Sequence, residues 1–209
     1  MIWYFDVISP FAYLALPEVE ALGPVSLRPI LFGAVLKHWG QLGPAEIAPK
    51  RIHTYRLVAF QAARRQVPFR FPPTHPFNPL QALRLLTALD APPGAVRIAL
   101  DVVWAEGIDV STPEGFVHLA ERLDVPDPAA LIDRTGAKDR LRAATEDAIA
   151  RGVFGVPTLA VADDLFWGVD ALPMARAAMA DPALFQRGEM ARIEGLGSLQ
   201  RSLVARPAG

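Results

Sequence analysis

The sequence predicts an α/β fold in which a small sheet is interrupted by a long helical insertion. Three observations carry this expectation. A strand, a helix and a second strand open the chain, strand signals then disappear through the middle, and a hairpin with a closing helix returns near the end. At 209 residues with 52% apolar side chains, the chain is long enough to bury one sizeable core.

Ile2-Trp3-Tyr4-Phe5 is a short run of β-branched and aromatic residues, as a buried strand requires. Ser9-Pro10 then opens a helix through Phe11, Leu14, Glu18, Ala21 and Leu22, and Gly23-Pro24 closes it. Residues 25–31 form the second strand candidate. From about residue 45 the periodicity turns helical. One helix is expected over 49–66 and another over 79–106, separated by the proline-rich stretch 68–79. Thr112-Pro113 and Asp127-Pro128 each pair a capping side chain with a first-turn proline, and a further helix over 138–151 ends at Gly152. Strands at 158–162 and 165–167 flank Asp163-Asp164 as a hairpin, and a last helix covers 172–179. The tail beyond Asp181, with Gly195, Gly197, Pro207 and Gly209, is expected to pack loosely. This order is that of a thioredoxin-like fold with an all-helical insertion subdomain.

Composition excludes several chemistries. A net charge of −1 without a sustained Lys/Arg run provides no electrostatic footprint for nucleic acid or an anionic membrane. With no cysteine there is no disulfide, thiolate metal site or redox dithiol. The histidines, His38, His53, His75 and His118, lack metal-binding spacing. The first residues have no secretory-signal pattern, and no apolar run is long enough to span a bilayer, so a cytoplasmic protein is expected.

Three segments carry candidate chemistry, and each has two readings. Ser9 is either a plain helix cap or a hydroxyl at a positive helix end, suited to a thiolate brought by a small molecule. Val156-Pro157, in Gly152-Val153-Phe154-Gly155-Val156-Pro157-Thr158, is either a trans proline opening a strand or a cis proline presenting backbone groups to an extended ligand. Asp170, in Phe166-Trp167-Gly168-Val169-Asp170, is either a helix N-cap or a carboxylate for a ligand ammonium, worth about 1.5–3 kcal/mol when partly buried.

Together with Phe5-Asp6 before Ser9-Pro10-Phe11-Ala12-Tyr13, these segments resemble the 2-hydroxychromene-2-carboxylate isomerase family. That family is similar to kappa-class glutathione transferases and to DsbA. The segments 71–79 and 104–109 also look like family segments, so the resemblance covers about residues 1–180. It implies a single DsbA-like domain, with thioredoxin-like parts at about 1–36 and 136–182 and the insertion at about 43–134. It implies glutathione as cofactor, a small-molecule substrate and a homodimer. By resemblance Ser9 would hydrogen-bond the glutathione thiolate, Val156 would pair its backbone with the cysteinyl unit beside Pro157, and Trp167, Gly168, Val169 and Asp170 would receive the γ-glutamyl end. Reversible thiolate addition to a conjugated alkene would then permit rotation about a bond otherwise locked. Lys37, Lys50, His75 and Asn78 are the candidates for substrate binding. The chain departs from the family at Glu46, at 57–61 and at Ala171, so the glutathione site looks kept and the substrate pocket changed. A kappa-like transferase and a non-catalytic thioredoxin-fold binding protein are the alternatives.

Overall fold

The computed structural model describes residues 1–197. Strands β1 (Ile2–Phe5), β2 (Ser26–Pro29), β3 (Thr158–Val161) and β4 (Asp164–Trp167) form one sheet in the order β2-β1-β3-β4. β1 pairs parallel with β2 and antiparallel with β3, and β3 pairs antiparallel with β4. The strand from the very start of the chain is therefore central, beside a strand more than 150 residues later.

The alternation of β1 explains why it is buried on both faces. Trp3 and Phe5 stack at 5.0 Å and join the larger core, whereas Tyr4 enters a second cluster with Ile30, Val35, Ala148, Val153, Val156 and Ala160. Helix α1 (Pro10–Glu20) follows β1, and α2 (Phe32–Trp39) follows β2. The helical middle comprises α3 (Ala48–Arg65), α4 (Leu80–Ala88), α5 (Pro93–Trp104), α6 (Pro113–Arg122), α7 (Pro128–Arg134) and α8 (Ala137–Ala150). Helix α9 (Leu172–Ala180) packs on β3 and β4. α1 packs on α5 and α4 on α8, so the insertion shares the core of the sheet.

Local signals place several of these elements as expected. Thr112 Oγ1 accepts from the Gly115 N–H at 3.0 Å, and Asp127 Oδ1 from the Ala130 N–H at 3.0 Å, both as N-caps. Other elements differ from the sequence reading. The helix expected over 79–106 is two, because Pro92-Pro93 cannot continue the hydrogen-bond ladder and the chain turns through positive φ at Asp90 and Ala91. Helix α2 was not anticipated. It begins inside an apolar run, residues 29–36, that starts at the last residue of β2 with no turn residue between, and Gly40 ends it in a left-handed cap. The hairpin turn is Ala162-Asp163, not Asp163-Asp164, with Ala162 at φ 51 and Asp164 already in β4. Beyond α9 the chain forms short 3-10 turns at Leu184–Gln186 and Met190–Gly195. Pro207 and Gly209 lie outside the described residues.

Candidate functional site

The three segments singled out by sequence meet in space. Ser9 occupies the position before α1, with Pro10 in the first turn, but its hydroxyl makes no capping bond. The cap reading is corrected on this point: the side chain turns toward the sheet, and Oγ donates to the Val156 carbonyl at 3.4 Å. That distance is long for an O–H donor, so the bond is weak. Ser9 is nonetheless only 7% exposed. The Val156-Pro157 peptide is cis, and the Pro157 carbonyl accepts from the Gly168 N–H at 2.9 Å. A chain of contacts thus runs from Ser9 through Val156-Pro157 to the end of β4.

The far end of this surface is aromatic. Phe154 and Trp167 meet edge to face at 5.2 Å and are 39% and 52% exposed. A Cβ at Gly155 would come within 2.4 Å of Trp167 Nε1, so the bare glycine backbone is what lets the indole lie flat against this loop. Gly155→Ala is expected to push the exposed indole outward, at a stability cost of about 1 kcal/mol or less. A shift in tryptophan emission and weaker glutathione binding would show it, and unchanged emission and affinity would refute it.

Of the two readings of Asp170, the cap is not realised. The residue sits inside the 3-10 turn Val169–Ala171, exposed, and Ala171 holds the position before the helix. Its carboxylate folds toward Gly168, within 2.6 Å of where a Cβ there would stand, and Gly168 has φ +88. Val169 is buried beneath this turn.

The segment that presents Ser9 is held from several sides. The Asp6 carboxyl is fully buried and accepts from the Ile8 N–H at 3.0 Å and from the Phe32 N–H, at the start of α2, at 2.9 Å. Burial raises its pKa from 3.8 to about 7 despite those two bonds. The Ser9 N–H donates to the Asp6 carbonyl at 3.0 Å. From the insertion, Trp104 Nε1 donates to the Val7 carbonyl at 2.9 Å, and His75 Nε2 lies 2.9 Å from the Ile8 carbonyl. Tyr55, on α3, places its hydroxyl 2.6 Å from His75 Nδ1 and 2.8 Å from the His75 carbonyl. Burial lowers the His75 pKa, favouring the neutral ring.

Of the proposed substrate contacts, Lys37 on α2 and Lys50 in the first turn of α3 are exposed, and neither forms an ion pair among the described residues. Asn78 is exposed, and its Oδ1 accepts from the Leu80 N–H at 3.1 Å, starting α4. His75 has both ring nitrogens engaged within the protein. Sequence reasoning assigned no role to Asp6, Tyr55 or Trp39, whose Nε1 donates to the Val153 carbonyl at 2.9 Å and ties α2 to the Pro157 loop. A charged residue at the end of an apolar strand was the available signal for Asp6; the other two had none.

A cleft of about 550 Å³ between β2, α4 and α8 lies apart from this site. Its charges pair with one another, Arg28 with Asp147 at 3.1 Å and Arg140 with Asp90. Among the described residues no cluster suited to a metal ion is present, and no helix is long and apolar enough to cross a membrane.

A mixed sheet of this order, carrying a cis proline before β3 opposite the start of α1 and a helical insertion, defines a DsbA-like thioredoxin-fold protein. The DsbA-like thioredoxin domain matches residues 1–180, and the chain belongs to this family, within its 2-hydroxychromene-2-carboxylate isomerase branch. A 2-hydroxychromene-2-carboxylate isomerase of a Pseudomonas species is 30% identical over 182 residues, covering 82% of this chain and 86% of that protein. Glutathione S-transferase kappa 2 of Caenorhabditis elegans is 25% identical over 205 residues, covering 86% and 91%. The solved structure of a 2-hydroxychromene-2-carboxylate isomerase shares the fold, with a TM-score of 0.73 at 24% identity over 93% of this chain and 98% of that one.

Proposed function

We propose that the chain is a glutathione-dependent isomerase acting on 2-hydroxychromene-2-carboxylate or a related aromatic-catabolite carboxylate. The observation that carries this reading is the buried Ser9 hydroxyl, held beside the cis Val156-Pro157 peptide by one long hydrogen bond. A donor so weakly engaged can turn to a better acceptor at little cost. Bound glutathione supplies a thiol whose anion can add reversibly to the substrate's conjugated double bond. Ser9 donates to that sulfur, and the N-terminal end of α1 adds favourable potential for a negative charge there. Val156 offers backbone groups to the cysteinyl unit, and Trp167, Gly168, Val169 and Asp170 form the seat for the γ-glutamyl end. Lys37 and Lys50, both exposed, are assigned to a substrate carboxylate.

Because Asp170 is exposed, its pairing with an ammonium is worth about 0.2–1 kcal/mol, less than a buried pair would give. Asp170→Ala is therefore expected to weaken glutathione about 1.4- to fivefold by calorimetry. An unaltered affinity would remove Asp170 from the site.

The similarity to a kappa-class transferase favours a second reading, conjugation of electrophiles. Incubating the protein with glutathione and 2-hydroxychromene-2-carboxylate separates the two. Isomerised product with glutathione recovered intact supports the isomerase, and a stable adduct by mass spectrometry supports the transferase. Calorimetry without any glutathione binding would leave a non-catalytic binding protein. We place the protein in the cytoplasm as a homodimer, an assembly supported by the exposed apolar side chains Leu42, Ile47, Ile52 and Phe60. Analytical ultracentrifugation tests the assembly.

A further inference from the structure

We propose that His75, oriented by Tyr55, is a positioning residue that fixes the Ile8–Ser9 peptide and so aims the Ser9 hydroxyl. The inference rests on the reading of Ser9 as the donor to a glutathione sulfur. The Ile8 carbonyl and the Ser9 N–H belong to one planar peptide, so holding both ends fixes the orientation of that plane. His75 Nε2 holds the carbonyl at 2.9 Å, and the Asp6 carbonyl holds the N–H at 3.0 Å. What remains for Ser9 is rotation about its own bonds. Without His75 the plane is anchored at one end only, and the hydroxyl loses its fixed direction.

The chemistry of the ring supports this role over substrate contact. A carbonyl oxygen can only accept, so Nε2 carries the proton and Nδ1 is the acceptor. The Ile8 carbonyl thus sets the tautomer, and the Tyr55 hydroxyl, 2.6 Å from Nδ1 and 2.8 Å from the His75 carbonyl, shares its one proton between these two acceptors and so steadies the ring. The imidazole also lies against Trp104 and Tyr55, each 5.3 Å between ring centroids, and against Phe77 at 6.1 Å. Both nitrogens are used, so none is left for a ligand. His75 and Tyr55 come from the helical insertion, whereas Ile8 and Ser9 belong to the sheet half. The insertion therefore sets the geometry of the thiol seat.

The test uses glutathione itself, with the pKa of its bound thiol read from ultraviolet thiolate absorbance. His75→Leu is expected to raise that pKa toward the value of free glutathione and to lower kcat about tenfold, with little change in KM for glutathione. His75→Gln keeps an N–H near the Nε2 position and is expected to restore most of both. Tyr55→Phe, which keeps the ring and removes only the hydroxyl, is expected to fall between them. A folded His75→Leu protein with wild-type thiol pKa and kcat overturns the proposal, as does a Tyr55→Phe protein indistinguishable from wild type. If bound glutathione in the wild-type protein titrates as the free thiol, the Ser9 reading itself falls.

Discussion

Ser9→Ala is expected to reduce kcat about 10- to 150-fold, because a hydrogen bond to a charged group is worth about 1.5–3 kcal/mol. The affinity for glutathione should change little. Most of the tripeptide's contacts are assigned to Val156 and to the turn from Trp167 to Asp170, whereas Ser9 is assigned only the sulfur. The fold should also tolerate the change, since the Ser9 hydroxyl caps no helix and loses only a 3.4 Å bond to the Val156 carbonyl. The bound thiol should titrate higher by one to two pH units, about the same free energy seen in the rate. A variant that keeps full activity, or that loses glutathione binding together with activity, would contradict this division of labour.

The second large effect concerns Asp6 and pH. A carboxyl raised from 3.8 to about 7 is disfavoured as a charge in the folded protein, by about 4 kcal/mol. In this direction the stabilising contribution is fully present below pH 3.8 and is lost as pH rises through about 7. Between those limits the folded state holds a proton that the unfolded state has released, so this group alone lowers stability by about 1.4 kcal/mol per pH unit. Asp6→Asn removes that slope. Denaturant unfolding at pH 4.5 to 8 should therefore show the wild type losing ground against Asp6→Asn until pH reaches about 7, then running parallel to it. Curves parallel throughout would mean that Asp6 is not buried as described. The charged form has a structural use that offsets only part of its cost. Only a carboxylate has both oxygens free of a proton to accept from Ile8 and Phe32, joining the Ser9 segment to the start of α2.

Much of the fold was legible because its signals are local. The run Ile2 to Phe5 has the residue types of a buried strand, and Thr112 and Asp127 accept the capping bonds their positions suggest. The start of α2 and the break at Asp90-Ala91 were not legible from periodicity. In the first case strand and helix share one continuous apolar run, and in the second the apolar spacing continues across a proline pair that stops the hydrogen bonds.

The candidate site divides along the same line. Ser9, Val156, Pro157 and the Trp167 to Asp170 turn were recognisable as motifs, each ambiguous alone. Their convergence depends on β1 pairing with β3, which brings Ser9 Oγ to the Val156 carbonyl across 147 positions of sequence. The contacts that His75, Asn78 and Asp170 make within the protein were hidden for a related reason. Whether a polar side chain faces a ligand, starts a helix or holds a neighbouring carbonyl depends on which groups the fold sets within about 3 Å of it.

By itself, then, the sequence determined the α/β class, the strands and the helical insertion between them, the absence of any thiol of its own and the serine at the head of the first helix. Only the tertiary structure decided that this serine's hydroxyl makes no capping bond, that a buried carboxyl and an imidazole from the insertion hold the segment before it, and that Asp170 is exposed. Periodicity and capping are encoded between near neighbours in the chain. Burial and hydrogen-bond partnership arise between residues far apart, and they exist only once the sheet has closed.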